Sequence, residues 1–405
     1  MGSAGIGLVF WAVAAHLASV ENIGRDSAEL SAMSLLASLG SLSLGSTFIR
    51  FLPVSGDRTR RFIARSYAGC TCLALILAFV YVASGLGHRF LPTGVGWRAL
   101  FVVVVAFWVV FVLQDDALTG LRAMKWIPVE NLLFGLAKLA LLPVMIVLVP
   151  SQGVFLAWSA PVFVAVALVT RYLFSKRIPE HESAGHGRSL LPSGSEIATI
   201  LAAQGATQLI ALMSTMLMPL IVISRLGASA NGHFYLPWTI SVSCTMLVWN
   251  VLASFLVEAA HDPSTMSLHV DRTVRLTLLT LVPGVVLGVT LAPELLRIFG
   301  ATYAAHGTTL LRLLLLALPG SAVTSFFTSF LWLERRMLVL TFRQLADAAM
   351  FLGTTLLLIG HFGLLAVGIA SLATEALQAA LFLPGAVARY RMVHSESGWT
   401  SRDAI

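Results

Sequence analysis

Residues 98–120 read RALFVVVVAFWVVFVLQDDALTG, with no charged side chain between Arg98 and Asp115. A helix on the surface of a soluble protein carries an apolar stripe and a polar face. This stretch is apolar on every face, as a helix standing in hydrocarbon has to be, and about 20 residues suffice to cross a bilayer. Working outward, eleven further stretches of this kind follow one another with short polar connectors. The predicted spans are 4–20, 27–50, 62–86, 98–120, 128–149, 153–175, 197–224, 230–256, 274–298, 304–331, 338–360 and 363–388. Barrel strands would instead show ten-residue segments of alternating polarity, and the chain has none. The expected fold class is all-α integral membrane, with about twelve transmembrane helices.

Composition agrees, with 58% hydrophobic and only 11% charged residues; soluble domains carry roughly 25% charged residues. The net charge of +7 is a matter of topology. With both termini in the cytoplasm, 19 of the 26 Lys and Arg fall on or beside cytoplasmic connectors, as the positive-inside rule requires. A nucleic-acid partner is therefore not expected. Cys70, Cys72 and Cys244 lie within spans, and Cys70 and Cys72 form only CxC, without a second pair for zinc. They read as small packing residues, and no metal or cofactor is expected. The first span begins almost at Met1 and lacks the basic lead of a signal peptide, so it reads as a retained helix with a shortened cytoplasmic flank.

The longest polar connector, KRIPEHESAGHGRSLLPSGSE (176–196), has six spans on either side. The halves share local features. Asn22-Ile23-Gly24-Arg25 corresponds to Asn231-Gly232-His233, with Gly24 and Gly232 at an offset of 208. Arg122, Met124, Glu130 and Asn131 stand 213 residues before Arg335, Met337, Arg343 and Gln344. The expected organisation is an amino-terminal lobe (1–175), a cytoplasmic linker (176–196), a carboxy-terminal lobe (197–388) and a cytoplasmic tail (389–405). Six spans per copy put both copies in the same orientation. A pseudo-two-fold axis along the membrane normal, with a cavity between the lobes, is expected.

FWAVAAHLASVENIGRDSAELSAMSLLASLGSLSLGSTFIRFLP (10–53) resembles the opening helix pair of polysaccharide flippases, in the multidrug/oligosaccharidyl-lipid/polysaccharide exporter superfamily. MPLIVISRLGASANGHFYLPWTISVSCTMLVWNVLASFLVEAA (218–260) resembles the pair opening their second lobe. APELLRIFGATYAAHGTTLLRLLLLALPGSAV (292–323) is similar to their ninth and tenth helices. The run 113–142 resembles a branch seen in actinobacteria. The resemblance covers nearly the whole chain and carries no catalytic signature. It implies a flippase in the bacterial cell (inner) membrane that carries a lipid-linked oligosaccharide by alternating access. Such a protein would work among membrane lipids and polysaccharide-assembly proteins. Superfamily members also include drug/cation antiporters.

An ionisable group at membrane depth costs about 2.5–3.5 kcal/mol on insertion scales and usually marks a partner or a wet path. The substrate or ion-pathway candidates are Asp115, Asp116, Lys138, Arg312, Asp347 and Glu375. Lys138 lies about 15 Å into its helix, and Asp115 and Asp116 on the preceding helix are candidate partners for it. Glu375 is the deepest carboxylate and a candidate proton site, with Gln378 on the same face. Each has a bland alternative, a structural ion pair or a snorkelling side chain. Arg50 and Glu258, at matching places in the two halves, are candidate gate residues or interface anchors. Glu29, Glu130 and Asn131 read as helix-opening residues. Pro283-Gly284 and Pro319-Gly320 are the hinge candidates among six intrahelical prolines.

Three functions remain open at this point: a flippase for an undecaprenyl-diphosphate-linked glycan driven by a proton or sodium gradient, an ion-coupled drug/cation antiporter, and a membrane glycan polymerase or ligase. The absence of GxSxG and HExxH motifs and the short outer connectors weigh against an enzyme. The absence of GxxxxGK[ST] weighs against direct use of ATP.

Overall fold

The computed structural model describes residues 2–42, 44–184, 189, 191–192, 194–261 and 265–395. Arg188, Arg402, part of the expected linker and most of the expected tail lie outside them. The described residues form α-helices joined by short turns, with no strand. They are α1 (Gly2–Leu17), α2 (Val20–Ser41), α3 (Leu44–Phe51), α4 (Thr59–Ala83), α5 (Val95–Gly120), α6 (Trp126–Leu148), α7 (Gly153–Tyr172) and α8 (Ile178–Ala184). There follow α9 (Gly194–Leu226), α10 (Ala228–His261), α11 (Met266–Thr290), α12 (Ala292–Arg297), α13 (Ala301–Leu333), α14 (Met337–Phe362) and α15 (Leu365–Val393). Among the described residues ten helices are long and apolar enough to cross a membrane, eleven if α2 and α3 are one broken span, and α1 is a shorter apolar helix.

Two spans depart from expectation. The second begins earlier and is interrupted. Ser19 caps α2 by accepting a hydrogen bond from the Asn22 amide at 3.2 Å, and Leu42 ends the helix in a left-handed conformation (φ 48°). Glu29 is therefore no helix opener; it stands nine residues into α2, 2% exposed. The ninth expected span, 274–298, is in fact α11 starting at Met266 and a separate short α12. Asp271, Arg272 and Arg275 thus lie on helix rather than connector. The proline-bearing helices α6, α7, α9, α10, α11, α13 and α15 run through their prolines.

The chain divides into two compact units, Met1–Gly232 and His233–Ile405. In the first, α2 is central and packs on α4, α5, α7 and α9, while α6 packs on α7 and α1. Residues 176–196 hold the expected boundary, and α9, which follows them, lies along α2. In the second unit α13 is central, against α15, α11, α12 and α14. Leu310, Leu311, Leu314 and Leu315 of α13 are buried, whereas α11 leaves Leu276, Leu278, Leu279, Val282, Val286 and Leu287 exposed. An exposed apolar face of this extent suits lipid.

Both sequence matches have structural counterparts. At the α5–α6 turn the Leu121, Arg122 and Ala123 amides donate to the carbonyls of Ala117, Thr119 and Leu118. At the α13–α14 turn Glu334, Arg335 and Arg336 donate to Phe330, Trp332 and Leu331. Every residue is displaced by 213, and Arg122 and Arg335 both sit at φ 55°, in a Schellman-type helix end. At the other match, a Cβ on Gly24 would overlap the Ala228 carbonyl, and one on Gly232 would overlap the Val20 carbonyl. These two contacts exchange under the 208-residue offset, as in a self-complementary contact.

Candidate functional site

Lys138 stands on the inward stripe of α6, with Phe134, Gly135, Leu142 and Ile146 buried on the same face. Gly135 lets Ile6 of α1 come close, since a Cβ there would stand 3.0 Å from Ile6 Cγ2. The Lys138 side chain is 6% exposed. Its Nζ lies 3.4 Å from the Trp158 ring centroid and 5.3 Å from those of Phe10 and Phe134. α1, α6 and α7 thus build an aromatic cage around an ammonium group. No carboxylate among the described residues pairs with it within 4.0 Å, so the expected pairing with Asp115 or Asp116 does not form. The reason is axial: Asp115 lies level with Asn131, seven residues or about 10 Å below Lys138 on α6. Ring faces offer a desolvated cation about 2 kcal/mol, comparable with the insertion cost of the charge.

The carboxylates form their own group. Asp115 Oδ2 accepts from Asn131 Nδ2 at 3.3 Å. The Asp116 carboxylate lies against Gly45 of α3, where any Cβ would overlap it. Glu130 lies past the first turn of α6 and so is no helix opener; it is 9% exposed with neither oxygen hydrogen-bonded. Tyr67 of α4 is buried with its hydroxyl unpartnered, and it interacts electrostatically with Glu130, Asp116 and Asp115. None of the three acids forms an ion pair among the described residues, nor do three metal-ligating side chains converge there.

A third polar group, missed in the sequence, ties α2 to α7 and α10. Asp26 is fully buried, and its Oδ2 accepts from the amides of Val154 (2.8 Å) and Phe155 (3.0 Å). It thereby satisfies donors that the first turn of α7 leaves open. Asn231 donates to the Gly24 carbonyl at 2.7 Å and to Ser27 Oγ at 3.2 Å. The doubled Asn-Gly motif was the available signal for Asn231; Asp26 had none beyond being one of three acids near an expected helix start.

In the second unit Asp347 and Glu375 join one network. Arg343 donates to Gln378 Oε1 (3.0 Å) and to Gln344 Oε1 (2.7 Å), and Gln378 Nε2 donates to Asp347. Glu375 lies within electrostatic reach of Asp347 and Arg343, and its Oε2 is buried without a hydrogen-bond partner. Gly320 sits on the Glu375 backbone, where a Cβ would lie 2.7 Å from its carbonyl oxygen, so the Pro319-Gly320 pair marks one close approach of α13 to α15. Gly284 has open space around it. Arg312 is exposed, and its Nε donates to the Val289 carbonyl in the last turn of α11 (3.0 Å). Arg50 is exposed over the Phe51 ring, and Glu258 meets His269 at 3.0 Å.

No protein-family model matches the chain, and comparison with curated proteins finds no match. Solved structures do match. A multidrug resistance MATE family transporter of the MOP superfamily, inward-facing, aligns with TM-score 0.67 at 16% identity over 97% of this chain and 96% of its own. The lipid II flippase MurJ, in an inward closed conformation, aligns with TM-score 0.69 at 14% identity over 99% and 87%. The MATE transporter ClbM in complex with Rb+ aligns with TM-score 0.51 at 16% identity over 94% and 89%. The chain therefore has the all-α membrane fold of these MATE transporters and of MurJ.

Proposed function

We propose that the protein is a membrane flippase that moves a lipid-linked oligosaccharide from the cytoplasmic to the outer leaflet of a bacterial cell membrane. The observation that carries this reading is Lys138: a buried cation, caged by rings and without a carboxylate partner among the described residues, suits an anionic headgroup such as a diphosphate. Likeness to a lipid II flippase along nearly the whole chain supports it. The expected six-helix lobes, 1–175 and 197–388 about the 176–196 linker, would alternate access, with both termini cytoplasmic. No bond is made or broken in this reading.

A second reading, an ion-coupled drug/cation antiporter, is favoured by Asp115, Asp116 and Glu130, whose charges lack cationic partners among the described residues. The likeness to MATE transporters supports it equally. The test is reconstitution into proteoliposomes carrying a fluorescent polyprenyl-diphosphate oligosaccharide. Flippase activity predicts protein-dependent exposure of the sugar to an outside quencher, reduced at least tenfold in Lys138→Met. No exposure above empty vesicles, together with proton-driven uptake of a cationic dye, would replace the flippase by the antiporter.

A further inference from the structure

An apolar groove of about 410 Å³ runs between α11, α13 and α15 of the second unit, with Leu252 of α10 at its back. Thr277, Leu281, Pro319, Phe326, Leu383 and Tyr390 are among its walls. Leu278, Val282 and Leu383 along it are exposed, so it opens sideways, toward the face that α11 presents to lipid. Along α11 it extends from Val274 to Val282, about 12 Å at 1.5 Å per residue. Half of a hydrocarbon core is about 15 Å. The groove thus accommodates one chain within one leaflet, and a long isoprenoid would overrun Pro319.

The Tyr390 end is polar. The Tyr390 hydroxyl donates to Asp271 at 2.7 Å, and His394 meets the same carboxylate at 3.2 Å, so Asp271 is already engaged. Arg275 shares the α11 stripe of Leu278 and Val282, and Arg391 shares the α15 stripe of Leu383 and Val387 at i+4 spacing. Both arginines are exposed, and neither makes an ion pair or side-chain hydrogen bond among the described residues. An apolar slot one leaflet deep with two free guanidinium groups at its rim is complementary to an anionic amphiphile.

We propose that this groove is a binding site for a membrane phospholipid with an anionic headgroup: one acyl chain lies along α11 and α15, and Arg275 and Arg391 take the phosphate. On the positive-inside orientation the rim faces the cytoplasmic leaflet, whose anionic lipids attract basic rims. Each arginine contributes about fivefold to affinity.

The experiment uses the full chain in nanodiscs with phosphatidylglycerol bearing an acyl-chain diazirine, against phosphatidylcholine bearing the same chain, and maps crosslinks by peptide mass spectrometry. Phosphatidylglycerol should label Leu281 and Leu383 at least fivefold more than phosphatidylcholine. Arg275→Gln with Arg391→Gln should remove that preference without moving the unfolding temperature. Val323→Trp, which fills the groove, should lower labelling by both lipids; should it fail to fold, the arginine pair still decides. Equal labelling by the two lipids, or labelling no stronger than at the lipid-facing Leu357 of α14, overturns the proposal. Displacement of phosphatidylglycerol by an equimolar polyprenyl phosphate overturns it in favour of the carrier lipid.

Discussion

α6 and α14 are entered through the same turn, 213 residues apart, yet they treat their charges in opposite ways. On α14, Arg343 is committed to Gln378 and Gln344, and Gln378 passes the interaction on to Asp347. On α6, Lys138 lies against three rings and forms no ion pair among the described residues, and the nearby acids stand a turn or more below with Asn131. A relay in which donors meet acceptors holds helices in register and has little left for a ligand. A caged cation without an anion has its electrostatic capacity unspent. Depth in the membrane therefore does not separate a charge held in a hydrogen-bond network from one held by rings; the neighbours do.

This contrast is open to experiment. The largest effect is expected from Arg343→Ala, which strips Gln378 and Gln344 of a donor and Asp347 of its nearby cation; stability should fall by about 3 kcal/mol. Thermal unfolding in detergent measures it, and Arg343→Met combined with Asp347→Leu should recover most of the loss. Recovery of transport alongside stability would confirm a structural network, whereas restored folding without transport would move the site to α14.

Next in size is Trp158→Leu, expected to cost about 2 kcal/mol through lost packing and cation–π energy. Lys138→Met alone should stay within about 1 kcal/mol of the parent, because removing an uncompensated charge also removes its desolvation cost. A double-mutant cycle between the two should give a coupling of about 1–2 kcal/mol. Zero coupling would mean that the cage does not hold the ammonium, and the contrast with Arg343 would collapse.

The shared turns offer a smaller effect. Arg122 and Arg335 occupy a left-handed position that favours glycine, so Arg335→Gly should stabilise by up to about 1 kcal/mol. Arg122→Gly should match it if the two turns are energetically as well as geometrically alike. A difference between them, read as unfolding midpoints, would locate where the copies have diverged.

The smallest effect belongs to His394, just past the end of α15. Its hydrogen bonds to the Tyr390 carbonyl and to Asp271 hold its pKa above the ordinary 6.5. The folded state therefore binds this proton more tightly than the unfolded chain. The contribution is complete below 6.5 and is lost as pH rises through the higher folded value. His394→Gln should lower the unfolding midpoint slightly at pH about 5.5 and not at about 8.5. Equal effects at both values would show that the ring acts through packing alone.

Much of the architecture was legible because hydrocarbon imposes a coarse rule: each crossing takes a long run of apolar residues, and the twelve runs stand where the helices stand. Helix ends were less legible. α11 starts eight residues before its apolar run, since Met266 and Val270 pack on Phe255 and Phe330, a contact invisible along the chain. Glu29 and Glu130 were misread because proximity to a polar connector suggested helix ends, and burial there depends on which helix covers them.

The sequence by itself determined that this is an all-helical membrane chain, where its charges lie in depth, and that two of its turns and one glycine pair recur. Those are properties of the order of residues, fixed by transfer energies and local backbone preference. Only the tertiary structure decided that Lys138 meets Trp158 rather than Asp115, that Asp347 is reached through Gln378, and that Gly24 lies on Ala228. These pairings depend on the axial offset and rotation of neighbouring helices, which packing sets and hydropathy does not encode.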